Sequence, residues 1–182
     1  MKQFIEIGSS HFNTLRYLCD KGWKGIMVDP IKIALDKIPN HIALTKVNLG
    51  IQPKSGNYDF VKFKDEHYFN HKLDYQGSAT FRDDMYFYDM NHPHKEKISI
   101  PCITFDDLCS QNKINKIDYL KLDTEGMDLD ILKTINFNKY DIKFIRAEHN
   151  GDELRKEETI KLLENNNYIV ESFQEDLVGI KF

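Results

Sequence analysis

The sequence predicts an α/β fold built on a mainly parallel sheet and closed by a C-terminal antiparallel hairpin. Two observations carry this. Short apolar strand patterns alternate with helical ones along most of the chain, the arrangement that right-handed crossovers turn into a parallel sheet. After the last helical pattern, residues 168–173 and 177–182 follow each other with strand-like alternation, which reads as an antiparallel edge on that sheet.

Residues 3–7 give the first strand, with Phe4, Ile5 and Ile7 apolar, and Gly8-Ser9-Ser10 breaks it. Leu15, Leu18 and Cys19 set a helical spacing over 13–21, ended by Gly22. A second strand, 25–28, stops at Asp29-Pro30, because proline has no N–H for a ladder. Residues 31–38 make a short helix closed by Pro39, 43–48 a third strand, and 58–63 a further one beyond the turn at Lys54-Ser55-Gly56. Residues 64–97 interrupt the alternation. They are rich in charge, histidine and aromatic side chains without a clean period, and read as an insertion lying over the sheet. A turn and short helix follow at 103–109, then a strongly apolar strand, 117–122, ending at Asp123. A helix at 129–135, a strand at 143–147 and a helix at 157–165 lead into the hairpin. No repeat or linker divides the chain, so 1–182 is expected to form one domain with an insertion at about 64–97.

Composition narrows the partners. Hydrophobic residues at 41% and charged residues at 30% are ordinary for a soluble globular protein. A formal charge of −4 gives no overall attraction to phosphates or anionic lipid, so nucleic acid is disfavoured as a partner. Cys19, Cys102 and Cys109 form no C-x-x-C pair and read as reduced thiols of an intracellular protein. The opening MKQFIEIGSS reaches Glu6 too early for a signal-peptide core, and no apolar run approaches the roughly 18 residues of a membrane span. The expected location is the cytoplasm, with no membrane partner.

In open α/β sheets ligands bind beyond the carboxyl ends of the strands, near the point where strand order reverses. The unusual polar residues fall at those ends. The first strand ends in Glu6-Ile7-Gly8-Ser9-Ser10, a small-residue loop that backbone and ligand can approach closely. The second ends in Asp29, at a distance along the chain that suits a carboxylate accepting from a ribose diol. The third ends in Asn48, the next in Asp123, and the last parallel one in Glu148-His149. Each has a plainer reading as well: Gly8 suits a tight turn, and Asp29 suits a cap for the helix after Pro30. Neither G-x-G-x-x-G nor G-x-x-x-x-G-K-[ST] occurs, so a nucleoside cofactor without phosphates fits better than NAD or ATP.

Several of these segments occur in a fixed order: Glu6 to Ser10, Asp29-Pro30, Asn48 to Gly56, Thr104-Phe105-Asp106-Asp107-Leu108, and Ile117 to Gly126 with its K-L-D-T-E-G run. The series resembles the FkbM-type methyltransferases, whose members read D-x-G-A-N, E-P, N-A-A-V-G-x-x-x-G, T-L-D-D-L and D-x-x-K-I-D-x-E-G. It spans nearly the whole chain, and the last two segments are its most specific part. The resemblance implies a Rossmann-like class I methyltransferase fold, S-adenosyl-L-methionine as cofactor, and O-methylation of a hydroxyl on a sugar or small metabolite. It places Glu6, Gly8, Ser9 and Ser10 in the cofactor loop, Asp29-Pro30 at the ribose, Asn48 near the adenine, and Asp123 beside the methionine part and the reacting methyl. Two departures stand out: Phe12 occupies the place of a second glycine, and Ser10 that of an asparagine. The chain also starts at the first strand, without the N-terminal helices of many members, so other parts are expected to hold the acceptor.

Methyl transfer from a sulfonium depends on in-line placement, and a hydroxyl acceptor gains from a base or from a metal that lowers its pKa. Asp123, Glu148 and His149 are the candidate catalytic groups, with His149 the preferred base and a divalent metal not favoured. Glu125 is read equally as a loop or cap residue. His67, His71, His92 and His94 in the insertion lack cysteine companions and read as surface histidines. The aromatics Tyr68, Phe69, Tyr75, Phe81, Tyr86, Phe87 and Tyr88 suit either a lid over an acceptor or burial against the sheet. Two further functions stay open at this point: a cofactor-binding module without turnover, and a methyltransferase for a nucleic acid or protein acceptor.

Overall fold

The computed structural model describes residues 1–12, 14–69, 79–82 and 92–182. The strands are β1 (Gln3–Ile7), β2 (Lys24–Val28), β3 (Leu44–Val47), β4 (Gly50–Ile51), β5 (Gly56–Phe63), β6 (Lys95–Ile103), β7 (Lys116–Ile117), β8 (Tyr119–Leu122), β9 (Asp141–Ile142), β10 (Phe144–Glu148), β11 (Ile169–Phe173) and β12 (Asp176–Ile180). The helices are α1 (Lys32–Lys37), α2 (Phe105–Gln111), α3 (Asp128–Thr134) and α4 (Glu153–Glu164).

Seven strands form the main sheet in the order β11-β12-β10-β8-β1-β2-β3. From β3 to β10 all neighbours are parallel, while β12 runs antiparallel to both β10 and β11. The chain therefore steps outward from β1 through β2 to β3, then returns to the other side of β1 as β8. That reversal opens a crevice at the carboxyl ends of β1 and β8.

Strand alternation divides the core into two faces. Ile5, Ile7, Val28, Leu120, Leu122 and Ile145 pack with Leu108 of α2, Ile131 and Leu132 of α3, and Leu163 of α4. On the other face, Phe4 and Met27 pack with Leu15, Cys19, Leu35 and Ile38. A second sheet, β4-β6-β5, stands beside the first, and its Phe60, Ile100 and Cys102 share a cluster with Ile31, Ala34, Tyr68 and Ala79.

Several expectations shift on contact with the structure. The segment expected as a helix over 13–21 is a 3₁₀ helix, Arg16–Lys21, closed by Gly22 in the left-handed region. A crossover this short spans the sheet better with about 2.0 Å of rise per residue than with the α-helical rise. The strand over 117–122 is two strands, because Asp118 interrupts it. Its N–H donates to the Gln3 carbonyl at 2.9 Å and its carboxylate accepts from the Gln3 N–H at 2.9 Å, so β7 pairs with β9 while β8 pairs with β1 and β10. The last helix begins at Glu153, four residues before the expected 157, because the Asp152 side chain caps it by accepting from the Arg155 N–H. Residues 95–97 of the expected insertion belong to β6, and Thr80 bridges to Val61 of β5. His71, Tyr75, Tyr86, Phe87 and Tyr88 lie outside the described residues.

Candidate functional site

The crevice holds a cavity of about 150 Å³. Its polar wall comes from Gly8, Ser10, Asp29, Asp123, Thr124 and Glu125, and its apolar walls include Ile7, Val28, Ile31, Leu49, Phe60 and Phe81. Loops after β1, β2, β3 and β8 thus meet there, with rings from the second sheet and the insertion opposite.

Gly8 holds the centre of this junction. Its φ is +81°, and a Cβ at this position would stand 1.8 Å from the Asp123 carbonyl oxygen. Only glycine allows the loops after β1 and β8 to touch in this way. The close approach expected of this residue is therefore made to the Asp123 backbone.

Asp29 is buried and joins two loops. One carboxylate oxygen accepts from the Ser10 N–H at 2.7 Å, the other from the Ile31 N–H at 2.8 Å. The second bond makes a turn ahead of α1, whose N-cap is Ile31, so Asp29 shapes the approach to the helix and does not cap it, and it keeps its place in the cavity wall. Burial pushes the Asp29 carboxyl up to about 6 against the pull of these two N–H groups, and Asp123 adds a little. Asn48 does not line the cavity. Its side-chain amide donates to the carbonyls of Asp29 at 3.0 Å and Pro30 at 2.8 Å, fixing the turn that presents Asp29.

On the β8 side, Asp123 is tethered by Lys121 at 2.9 Å, and the same ammonium reaches Glu6 at 3.2 Å. Residues two apart on a strand share a face, and β1 sets Glu6 level with Lys121, so the three meet by register. Glu6 is fully buried beneath the cavity, its other oxygen accepting from the Leu15 N–H at 3.2 Å, and burial raises its pKa. It supports the loop without lining the cavity. Ser9 is also buried outside the lining, and its hydroxyl has no hydrogen-bond partner among the described residues.

Glu148 and His149 close β10. Glu148 accepts from the Asn150 side chain at 2.8 Å, and its carboxyl is pushed up to about 9, first by burial and then by Asp123, Glu125 and Asp128. His149 is buried with its Nε2 3.2 Å from the Gln174 carbonyl, in the turn between β11 and β12, and does not line the cavity. The structure thus gathers Gly8, Ser10, Asp29, Pro30 and Asp123 at the cavity and leaves Glu6, Ser9, Asn48, Glu148 and His149 behind it or at its flank.

Two residues escaped the sequence reading. Asp128 is buried and pushed up to about 6, chiefly by burial. It accepts from the N–H and hydroxyl of Thr124 and from the Glu148 N–H at 2.7 Å, locking the β8–α3 loop to the end of β10. Its signal was present: an acid in the first turn of a helix, four residues after a threonine. Lys121 is the other, readable as the residue two before Asp123. The T-F-D-D-L segment proves structural here. Thr104 and Asp107 form a capping box, Asp107 accepts from Ser55 at 2.6 Å, and Asp106 accepts from Tyr140 at 2.6 Å.

Among the described residues no group of three or more His, Cys, Asp or Glu is arranged to hold a metal, and no helix is long and apolar enough to cross a membrane.

A parallel sheet that reverses between β1 and β8, with an antiparallel β12 inserted before β11 and an acid-lined cavity at the reversal, defines a Rossmann-like class I methyltransferase fold. A family model described as the methyltransferase FkbM domain matches residues 6–170. The chain belongs to that family. Among solved structures it is similar to a chain in the crystal structure of a fibrillarin/Nop5p complex, at 10% identity and a TM-score of 0.48, over 100% of this chain and 73% of that one. No curated protein sequence matches it.

Proposed function

We propose that this chain is an S-adenosylmethionine-dependent methyltransferase acting on a hydroxyl of a sugar or other small metabolite. The observation that carries the reading is the cavity at the strand reversal, which Asp29 and Asp123 line together with apolar side chains in a chain of this family. The residues present suit the cofactor. Each Asp29 oxygen takes one backbone N–H and keeps a lone pair, which suits a ribose diol. Ile7, Val28, Ile31 and Leu49 offer apolar surface for a base, and Asp123 and Glu125 offer negative charge for a sulfonium or an amino group.

When bound, S-adenosylmethionine supplies a methyl group on positively charged sulfur. The protein's part is placement and proton handling. Asp123 lines the cavity, with its side chain 41% exposed and held at one oxygen by Lys121, so it is the carboxylate proposed to receive the acceptor's hydroxyl proton. Glu148 keeps its own proton to about pH 9 and so adds no charge near Asp123 at neutral pH. His149, tied to the β11–β12 turn, is assigned a holding role in this reading.

Calorimetric titration with S-adenosylhomocysteine tests the cofactor reading. Asp29→Ala is expected to weaken binding by about 1–3 kcal/mol, because it removes both acceptors and leaves donors unpaired. Equal affinity in the variant, or no binding by the wild type, would overturn it. Release of S-adenosylhomocysteine with a panel of saccharides then tests the acceptor class.

A further inference from the structure

Two residues without the freedom of glycine line the cavity in the left-handed backbone region: Ser10 at φ 46° and Glu125 at φ 51°. Such conformations strain an L-residue and persist only where surrounding structure over-determines them. One belongs to the loop after β1, the other to the loop after β8. Each is held by a buried hydroxyl from residues 64–97.

Tyr68 shares a 2.8 Å hydrogen bond with the Ser10 hydroxyl and is only 3% exposed. Burial, with Asp29 and Glu125 nearby, raises its phenol well above the ordinary range, so it stays protonated at neutral pH. Thr80 is 1% exposed, and its hydroxyl donates to the Glu125 carbonyl at 2.8 Å while accepting from the Arg82 N–H at 3.0 Å. Its backbone is fixed in turn by paired hydrogen bonds to Val61 at 3.0 Å each. The Tyr68 ring packs with Phe60 and Ala79, so both hydroxyls are anchored to the second sheet.

We infer that Tyr68 and Thr80 are positioning residues of the site. They clamp the two ligand loops from the same side and hold Ser10 and Glu125 in shape before any ligand arrives. The two side chains thereby brace both halves of the crevice. For ligand affinity the inference rests on the cofactor reading above; for loop rigidity it stands alone.

The two parts are separable by experiment. Tyr68→Phe and Thr80→Val each remove one hydroxyl and keep the buried shape. In ligand-free protein each is expected to speed amide hydrogen exchange about tenfold, at residues 9–12 for Tyr68→Phe and 124–127 for Thr80→Val. Each is also expected to weaken S-adenosylhomocysteine binding about tenfold in a calorimetric titration. Thr80→Ser, which keeps the hydroxyl, should restore both readouts. Unchanged exchange in both variants overturns the clamp, and so does Thr80→Ser behaving like Thr80→Val, since methyl packing would then be responsible. Should Thr80→Val melt below the titration temperature, Tyr68→Phe alone decides on the same criteria. If wild-type protein binds no S-adenosylhomocysteine, the cofactor reading fails while exchange still decides the clamp.

Discussion

Asp29 stands at the end of β2 and Glu148 at the end of β10, on opposite sides of the β1–β8 reversal, and burial raises the pKa of both. Asp29 rises to about 6, Glu148 to about 9. The difference lies in their neighbours. Asp29 has a backbone N–H on each oxygen, which favours its charged form. Glu148 has Asp123, Glu125 and Asp128 around it, with Asn150 as its neutral donor. One side of the site is shaped by hydrogen bonds from the main chain; the other is a crowd of carboxylates held partly by Lys121. The first side should therefore respond to lost geometry, and the second to pH and to cations.

The heaviest blow to both sides is at their joint. Gly8→Ala would push a Cβ into the Asp123 carbonyl at a φ of +81°, and is expected to cost about 4 kcal/mol or more in urea unfolding. A loss under about 1 kcal/mol would mean that the two loops do not touch as described.

Asp123→Asn strikes the carboxylate side alone. Methyl transfer is expected to fall about 100-fold, by more than S-adenosylhomocysteine affinity falls in the same variant. His149→Ala is the control: its imidazole is bound to the β11–β12 turn, so turnover should stay near normal. A loss as large as that of Asp123→Asn would return the proton-accepting role to His149.

A milder test uses pH on the hydrogen-bonded side. In the proposed reading a ribose diol donates to ionised Asp29, and this carboxyl takes up its proton as pH falls through about 6. Affinity for S-adenosylhomocysteine should hold above that point and drop by about tenfold per unit below it. The same titration on Asp29→Asn should be flat.

The last test concerns Glu148 and the pH dependence of stability. Its folded pKa lies above its ordinary value, so between about pH 4.5 and about 9 the folded protein keeps a proton that the unfolded chain has lost. Stability from this group is full below that window and is lost as pH rises through it. Melting temperatures across the window should fall less for Glu148→Gln than for wild type. Parallel curves would place Glu148 outside the acidic group.

The same contrast explains what the sequence could reveal. Gly8, Asp29 and Asp123 were legible because a strand pattern ends at each of them, and strand ends define the ligand edge. That most strands run parallel followed from the alternation of elements, while their order did not. Asn48 and His149 also sit at strand ends, yet they turn toward carbonyls of a loop and a hairpin, a direction that position alone does not encode. Tyr68 and Thr80 were harder still. They act through pairings 58 residues apart for Ser10–Tyr68 and 45 apart for Thr80–Glu125, inside a stretch without periodicity. The partnership of β5 with β6 was hidden for the same reason, since the segment joining them carries no turn signal short enough to announce a hairpin.

The place of β12 has a consequence for how the chain assembles. It lies between β10 and β11, so among the described residues β11 pairs with the sheet only through a strand made after it. During synthesis, residues 169–173 emerge with no neighbour to pair with until residues 176–180 have followed. The order of translation is thus not the order of docking. A nascent chain arrested between the two would leave β10 as a raw edge and β11 dangling, a state open to pairing with another nascent chain.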